Sequence, residues 1–476
     1  MRHHHQFYID GRWVAPANGG EQIDVINPAT ERSAGTILMG SAADVELAVA
    51  AAHRAFASYS RTSLQERLEL LASITSIYER RIGDMADAIS TEMGAPLHTL
   101  AKGVQAPIGL WHFQYTMAMA KDFAFEKVQG TTLLRREPVG VCALITPWNW
   151  PMNQIACKVA PALVTGCTMV LKPSELAPFS AQVFAEILHE AGVPAGVFNM
   201  IHGDGARLGP QLASHPLIDM VSLTGSTRAG ASVSKNAADT VKVVSLELGG
   251  KSANIILADA DLEAAVTQGV LNMMSNTGQS CNAPSRMLVP AARLIEAEQI
   301  AIAACNSIVV GDPLDPATTI GPIANARQYQ RVQALIEQGT LDGATLIAGG
   351  CGRPPGIERG YYARPTIFSQ ANNQMTIART EIFGPVLTMI GYDTEQEAIA
   401  IANDTCYGLS GYVWGGTLDG ARAVARQLRA GMVHLNGAGL DLTAPFGGYK
   451  QSGNGREWGA AGIEEFLETK AIMGNQ

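Results

Sequence analysis

A chain of 476 residues is too long for one ordinary core and predicts roughly three domains. Hydrophobic residues at 47% and 49 glycines are the balance of a globular protein, and a net charge of −9 argues against nucleic acid or an anionic membrane as main partner. Seven scattered cysteines with no Cys-x-x-Cys pair offer neither a disulfide framework nor a zinc cage and suit a reducing, cytoplasmic setting; no run approaches the ~20 apolar residues of a membrane span.

The chain opens on Met1-Arg2 and three histidines, His3-His4-His5, with no apolar run behind them. They read as a frayed end, neither a signal peptide nor a metal clip, and no metal is expected. Phe7–Ile9 and Arg12–Val14 flank Asp10-Gly11, a two-residue hairpin signal. From Ala42 to Ile82 apolar residues recur at helical spacing, and a helical layer continues beyond Thr99, with Pro96 and Pro107 as breakers.

Between Thr131 and Gly250 short apolar runs alternate with helical patterns. Strands are predicted at Val141–Ile145, Thr168–Leu171, Val197–Ile201, Met220–Leu223 and Val241–Leu246. Helices are predicted at Gln154–Val164, Ser180–Glu190, Ala206–Ala213 and Ala229–Ala237. This alternation implies an α/β fold with a parallel sheet covered on both faces, which binds nucleotides at its strand C-termini. A second α/β segment begins at Asn254 and runs to about Asn436, and Phe466–Met473 can add a strand elsewhere.

Several stretches carry chemistry. Thr224-Gly225-Ser226-Thr227 ends a strand and opens a helix, where backbone N–H groups attract phosphate; a plain strand–helix turn explains the glycine equally well. Gly203-x-Gly205 followed by Gly209 misses the dinucleotide spacing by one residue. Lys172-Pro173-Ser174-Glu175 follows another strand; a lysine and a carboxylate there can hold ribose hydroxyls and favour NAD over NADP. Gly249-Gly250-Lys251-Ser252 imitates a phosphate loop but lacks its earlier glycine. Glu247 closes an apolar strand, either as an exposed edge residue or as a buried acid fit to be a general base. Asn149, between Trp148 and Trp150 and fixed by Pro147 and Pro151, is either a turn or a rigid oxyanion donor. Cys281 lies in the polar run Ser275–Asn282, whose small residues leave a thiol reachable; a buried small hydrophobe is the plain alternative.

Together these stretches resemble the aldehyde dehydrogenase superfamily, of the hydrolytic type that does not acylate coenzyme A. The resemblance spans nearly the whole chain and adds Asn27-Pro28-Ala29-Thr30, Glu381-Ile382-Phe383-Gly384-Pro385 and Pro445-Phe446-Gly447-Gly448. It implies a nucleotide-binding domain (1–120 and 139–249), a catalytic domain (250–461), and a small β oligomerisation arm (121–138 and 462–476) pairing strands between subunits of a homodimer or homotetramer.

The resemblance also implies roles. Cys281 is the nucleophile, Glu247 the general base, and the Asn149 amide with the Cys281 backbone N–H the oxyanion site. Lys172 and Glu175 meet the adenosine ribose, Gly225, Ser226 and Trp148 the pyrophosphate, Glu381 the nicotinamide ribose, and Phe383 packs near the nicotinamide. Lys158 and Glu457 stand behind Glu247. The substrate pocket is Trp150, Asn153, Gln154, Cys157, Ser280, Asn282, Leu440 and Phe446, with Asp441 nearby, and suits a medium-chain aliphatic or aromatic aldehyde. A coenzyme A-acylating enzyme needs no water-activating Glu247, and a non-catalytic nucleotide-binding protein needs none of Cys281, Glu247 and Asn149.

Overall fold

The computed structural model describes residues 1–474. Five parallel strands form the centre of the first sheet, in the spatial order Val243–Glu247, Met220–Thr224, Val141–Ile145, Thr168–Lys172, Phe198–Met200. The chain builds outward from Val141–Ile145 in one direction, then returns to lay the other two strands on its opposite side. Strand order therefore reverses between Val141–Ile145 and Met220–Thr224, and a crevice opens at their carboxyl ends, the standard ligand position of such sheets. The hairpin Phe7–Ile9 and Arg12–Val14 extends one edge antiparallel.

Val141–Ile145 and Thr168–Lys172 are buried throughout, as a sheet covered on both faces requires. Each Val, Leu or Ile sealed there contributes about 1.5–3 kcal/mol. The helix Pro151–Thr165 is also buried along its entire length, against the helices Ala106–Asp122 and Gly459–Glu464. It begins three residues before the expected Gln154, because Pro151 occupies the first turn, where a missing N–H leaves nothing unpaired. For the same reason Pro107 does not break the helical layer but helps open Ala106–Asp122, directly after the wide π-turn Leu97–Gln105. Val241 is not in a strand: its backbone is left-handed (φ 53°) and its side chain exposed, so pairing starts at Val243.

The second sheet has seven strands around Ala253–Ile256, flanked by Arg286–Pro290 and Ser410–Trp414. A third sheet pairs Leu467–Met473 with Thr132–Pro138, and that strand with Glu126–Gln129, all antiparallel. The arm strands thus pair within one chain. Gly453–Asn454 joins the edge of the first sheet, with Glu247 opposite Gly453, so the chain has returned to the first unit before residue 461. That return carries Glu457 to Lys158. The amino end is a strand, not a frayed end: Arg2–His4 pairs with Arg32–Met39, and His3 Nδ1 and His5 Nε2 both reach Thr36 Oγ1, at 2.8 and 2.9 Å. Among the described residues no helix is long and apolar enough to cross a membrane, and no cluster of side chains suits a metal ion.

Candidate active site

The Cys281 loop follows the helix Leu262–Met274 and turns through three consecutive left-handed residues, Asn276, Thr277 and Gly278, with φ of 52°, 57° and 69°. Two of them are not glycine, and such residues cost on the order of 1–3 kcal/mol each unless their surroundings fix them. Here a buried amide network does so. Gln105 Nε2 donates to Asn276 Oδ1 at 3.0 Å, and Asn276 Nδ2 donates to the Asn149 carbonyl at 3.0 Å. Thr277 Oγ1 donates to the Gly321 carbonyl, Gln279 Nε2 to the Asn276 carbonyl, and the Ala324 N–H to Gln279 Oε1. Asn276, Thr277, Gly278 and Gln279 are all buried. Between Asn276 and Gln279 the run therefore does not keep the loop open to solvent; its polarity holds a strained turn, with Ser275 exposed at its start and Ser280, Cys281 and Asn282 half-buried at its end.

Cys281 faces two cavities, of about 240 and 280 Å³, and among the described residues it is the one that lines both. Burial pushes its thiol up, and the carboxyl groups of Glu381, Glu247 and Glu457 push it further. The resting thiol therefore keeps its proton at neutral pH. Asn149 is buried between the cavities, its Nδ2 donating one hydrogen to the Gln279 carbonyl at 3.0 Å. Its flanking tryptophans part company. Trp150 turns to the first cavity, with Nε1 2.8 Å from Ser280 Oγ, and Trp148 to the second, perpendicular to Phe383 at 5.5 Å.

Glu247 ends its strand buried, and neither carboxyl oxygen has a hydrogen-bond partner among the described residues. Burial, then the Glu457 charge, raises its pKa well above the carboxylate range. A side chain at Gly447 would stand 2.7 Å from Glu247 Oε1, so glycine there makes its room. Behind it Lys158 and Glu457 form a buried ion pair, and Lys158 Nζ also donates to Ser222 Oγ at 3.0 Å. Burial is the largest single influence and works to lower the lysine, but the Glu457 charge and hydrogen bond, with the neighbouring Cys157 and Glu247, together outweigh it and hold the ammonium charged.

The second cavity lies at the strand reversal, lined by Trp148, Gly225, Ser226, Glu381 and Phe383. Ser226 caps the helix Thr227–Ala237, and Thr224 Oγ1 is buried with no partner among the described residues. Glu381 is pushed up to about 7 by burial, offset in part by the Gly250 N–H, which donates to its Oε1 at 3.0 Å. Gln328 and Arg331, on the helix Ala326–Leu341, secure this segment. Gln328 Nε2 donates to the Ile382 and Phe383 carbonyls, and Arg331 Nη2 to that of Glu381, all at 2.9 Å. Their spacing of three puts them on one helix face, the one signal the sequence offered. Lys172 and Glu175 do not line this cavity. They lie one strand along the same edge, Lys172 Nζ 3.2 Å from Glu175 Oε2 and 2.8 Å from the Gly203 carbonyl. The crevice thus offers a helix N-terminus, an unpaired buried hydroxyl and two separate carboxyl groups, a donor set that fits an extended dinucleotide. The glycines near 203–209 do not: the Asp204 side chain already occupies the N–H groups of Ala206 and Arg207. Nor is Gly249-Gly250 a phosphate loop. A side chain at Gly249 would collide with Glu381, and one at Gly250 with the Cys281 carbonyl oxygen.

The first cavity is bordered by Trp150, Asn153, Gln154, Ser280, Asn282, Leu440 and Phe446. Cys157, expected among them, does not border it. Its thiol donates to Glu457 Oε2 at 3.3 Å, and it packs behind Phe446 and Trp458. Asp441 is exposed and accepts from Thr443 instead. Tyr412, His434 and Trp458 also line the wall without having been anticipated, as do Val104, Ile108 and Asn272; Tyr412 Oη donates to the Asn282 carbonyl, and the His434 ring stacks on Tyr412 at 4.7 Å.

The model of the aldehyde dehydrogenase family matches residues 13–472. A 3-succinoylsemialdehyde-pyridine dehydrogenase from a Pseudomonas species is 62% identical over 474 residues, covering 100% of this chain and 99% of its own. Among solved structures, a cysteine-to-alanine mutant of Aldehyde Dehydrogenase C from Pseudomonas syringae, complexed with NAD+ and octanal, superposes with a TM-score of 0.98 at 53% identity, covering 99% of this chain and 97% of its own. A betaine aldehyde dehydrogenase from Staphylococcus aureus in complex with NAD+ does so with a TM-score of 0.95 at 36% identity, covering 99% of this chain and 95% of its own.

Proposed function

The chain belongs to the aldehyde dehydrogenase family, and from that premise we propose that it oxidises a medium-chain aliphatic or aromatic aldehyde to the carboxylic acid through Cys281. The observation that carries this reading is that Cys281 alone, among the described residues, lines both the crevice at the strand reversal and the cavity behind Trp150. A nucleophile whose covalent adduct must lose hydride from its carbon to a second bound molecule needs that position.

The thiol loses its proton to solvent, and the sulfur attacks the aldehyde carbon, forming a C–S bond as the C=O π bond opens to the oxyanion of a tetrahedral thiohemiacetal. The second Asn149 amide hydrogen and the Cys281 backbone N–H receive the oxyanion. One such donor is worth about 2.7–4 kcal/mol in acyl chemistry. NAD bound in the crevice supplies the hydride acceptor. What remains on Cys281 is a thioester. Glu247 takes a proton from water, the hydroxide oxygen bonds to the acyl carbon, and the C–S bond breaks to release the acid and the thiolate. The proton held by Glu247 leaves toward the Glu457 carboxylate, which can accept it, while the Lys158 ammonium beside Glu457 stabilises the ionised form of Glu247.

NAD is the cofactor of the related structures named above, and the fit of the crevice supports it here. Glu175 beside Lys172 supports NAD over NADP, since a carboxylate accepts a ribose hydroxyl and repels a 2′-phosphate. Trp150, Leu440 and Phe446 support an alkyl or aryl substrate, and among the described residues no arginine or lysine borders that cavity to hold a carboxylate. Octanal is bound in the P. syringae structure, and the Pseudomonas relative is a dehydrogenase of a pyridine-bearing semialdehyde. The exposed strands Glu126–Gln129 and Leu467–Met473, with Val128 and Met473 on their surface, support a homodimer or homotetramer built on the arm.

The test is Cys281→Ala. It should abolish NADH formation from octanal and from aryl aldehydes while NAD still binds by calorimetry. NADH production surviving that change would end the thiol mechanism.

A further inference from the structure

One polar side chain on the aldehyde-side cavity is held in a single orientation. His112, buried in the helix Ala106–Asp122, lies with Nε2 2.7 Å from Asn153 Oδ1. Burial drives the imidazole pKa down to about 4, against the Asn153 hydrogen bond and the more distant Glu457 charge, so the ring is neutral at working pH. A neutral imidazole carries one N–H, and an amide oxygen can only accept; Nε2 is therefore the donor. The Asn153 amide is pinned by its oxygen, and its nitrogen, with two hydrogens, has no acceptor among the described residues. A second donor borders the same cavity: Trp458 Nε1 is buried without a partner, its ring 5.4 Å from His112. The rest of the wall mixes aromatic and apolar side chains with Gln154, Asn272, Asn282 and His434, of which Gln154 Oε1 and His434 Nε2 are buried without a partner, and among the described residues no lysine or arginine borders it. Two neutral N–H donors in such a wall suit a neutral acceptor, and a ligand lacking one leaves them unpaired, the case in which a site rejects an analogue most strongly.

We propose that Asn153, positioned by His112, is a subsite for a carbonyl oxygen on the substrate, so that the enzyme favours oxo-aldehydes, carrying a ketone a few bonds from the aldehyde, over their deoxy counterparts. The proposal rests on the reading of Cys281 as acting on an aldehyde held in this cavity. Asn153 stands in the first turn of the helix Pro151–Thr165, just past the Asn149 oxyanion donor, which places the second carbonyl along the chain and not at the reacting carbon.

Matched substrates isolate the effect: kcat/KM for 4-oxo-4-phenylbutanal against 4-phenylbutanal, and for the 5-oxo homologue against its deoxy form. The wild-type enzyme should favour one oxo member by roughly threefold to tenfold, the range of one net hydrogen bond, mostly through KM. Asn153→Leu should bring that ratio to about one. His112→Phe, which frees the amide to rotate, should reduce the ratio, and His112→Gln, which keeps a donor, should restore part of it. Equal kcat/KM for oxo and deoxy substrates in the wild-type enzyme would overturn the proposal, as would a ratio that Asn153→Leu leaves unchanged. Octanal separates the two levels: turnover of octanal without discrimination sinks the subsite alone, and no turnover of any aldehyde sinks the reading beneath it as well.

Discussion

Replacing Glu247 by glutamine tests the base directly, because the structure isolates its chemistry from its packing. Neither carboxyl oxygen makes a hydrogen bond among the described residues, so the isosteric amide breaks no contact. What it removes is a proton acceptor, and a positioned general base is worth roughly 10²–10⁴-fold in rate. Only thioester hydrolysis uses it. Hydride transfer in the first turnover should therefore stay near the wild-type rate while deacylation falls by about that factor. Stopped-flow absorbance at the NADH band would show a burst approaching one equivalent per active site, then a slow steady state. The wild-type steady state should fall as pH drops through the raised carboxyl pKa, since the base must be ionised. Stability has the opposite dependence. A carboxyl whose native pKa lies above its unfolded value weakens the fold as pH rises past the unfolded value. The glutamine variant should thus melt at or above the wild-type temperature at pH 8, and the two should converge near pH 4. Equal loss in the burst and steady-state phases, or a variant less stable at pH 8, would refute the reasoning.

Gly250→Ala adds a methyl group where the Cys281 carbonyl oxygen sits and should lower kcat at least tenfold with an unchanged far-ultraviolet spectrum; full activity would contradict the close approach. Glu381→Gln removes a charge that lifts the Cys281 thiol, so alkylation by iodoacetamide should speed up above pH 7, where Glu381 is ionised, and not below it. An acceleration independent of pH would show that the carboxyl group acts otherwise. Lys158→Met strands a buried Glu457 and should cost about 3–5 kcal/mol, read as a lower urea midpoint. A midpoint within error of the wild type would mean that Glu457 takes up a proton at little cost once its partner is gone.

Where an element is set by its own residues, the sequence was legible. Val141–Ile145 forms with both expected ends because five apolar residues sit between Gly140 and the Thr146-Pro147 turn, and the strand–helix alternation around it was enough to imply a parallel sheet. Val241 shows the limit: an apolar, β-branched residue that reads as strand is held left-handed by the turn before it. The pocket shows a different limit. The family resemblance put Cys157 with Asn153 and Gln154, and in a helix with one exposed face residues four apart do share a surface. Pro151–Thr165 is buried on every face, so its phase cannot say which face meets the cavity and which meets Glu457. Gln328, Tyr412, His434 and His112 were missed because the hydrogen bonds and ring stacking that place them reach residues between 22 and 130 positions away in the chain, beyond any local period.

The Cys281 loop joins these two limits. Its small polar residues read as an open surface because Asn, Thr, Gly and Gln usually face water. They are buried because a backbone turning through three left-handed residues leaves donors and acceptors that neither helix nor strand can pair. The side-chain amides of Asn276 and Gln279 pair the loop carbonyls, Gln105 in turn holds the Asn276 amide oxygen, and a further bond from Asn276 ends on the carbonyl of Asn149. The strain in the loop and the placement of the oxyanion donor are thus met by the same residues. Loosening Asn276 would disturb thiol and amide together, so the composition of this run follows from holding a nucleophile against its donor rather than from exposing it.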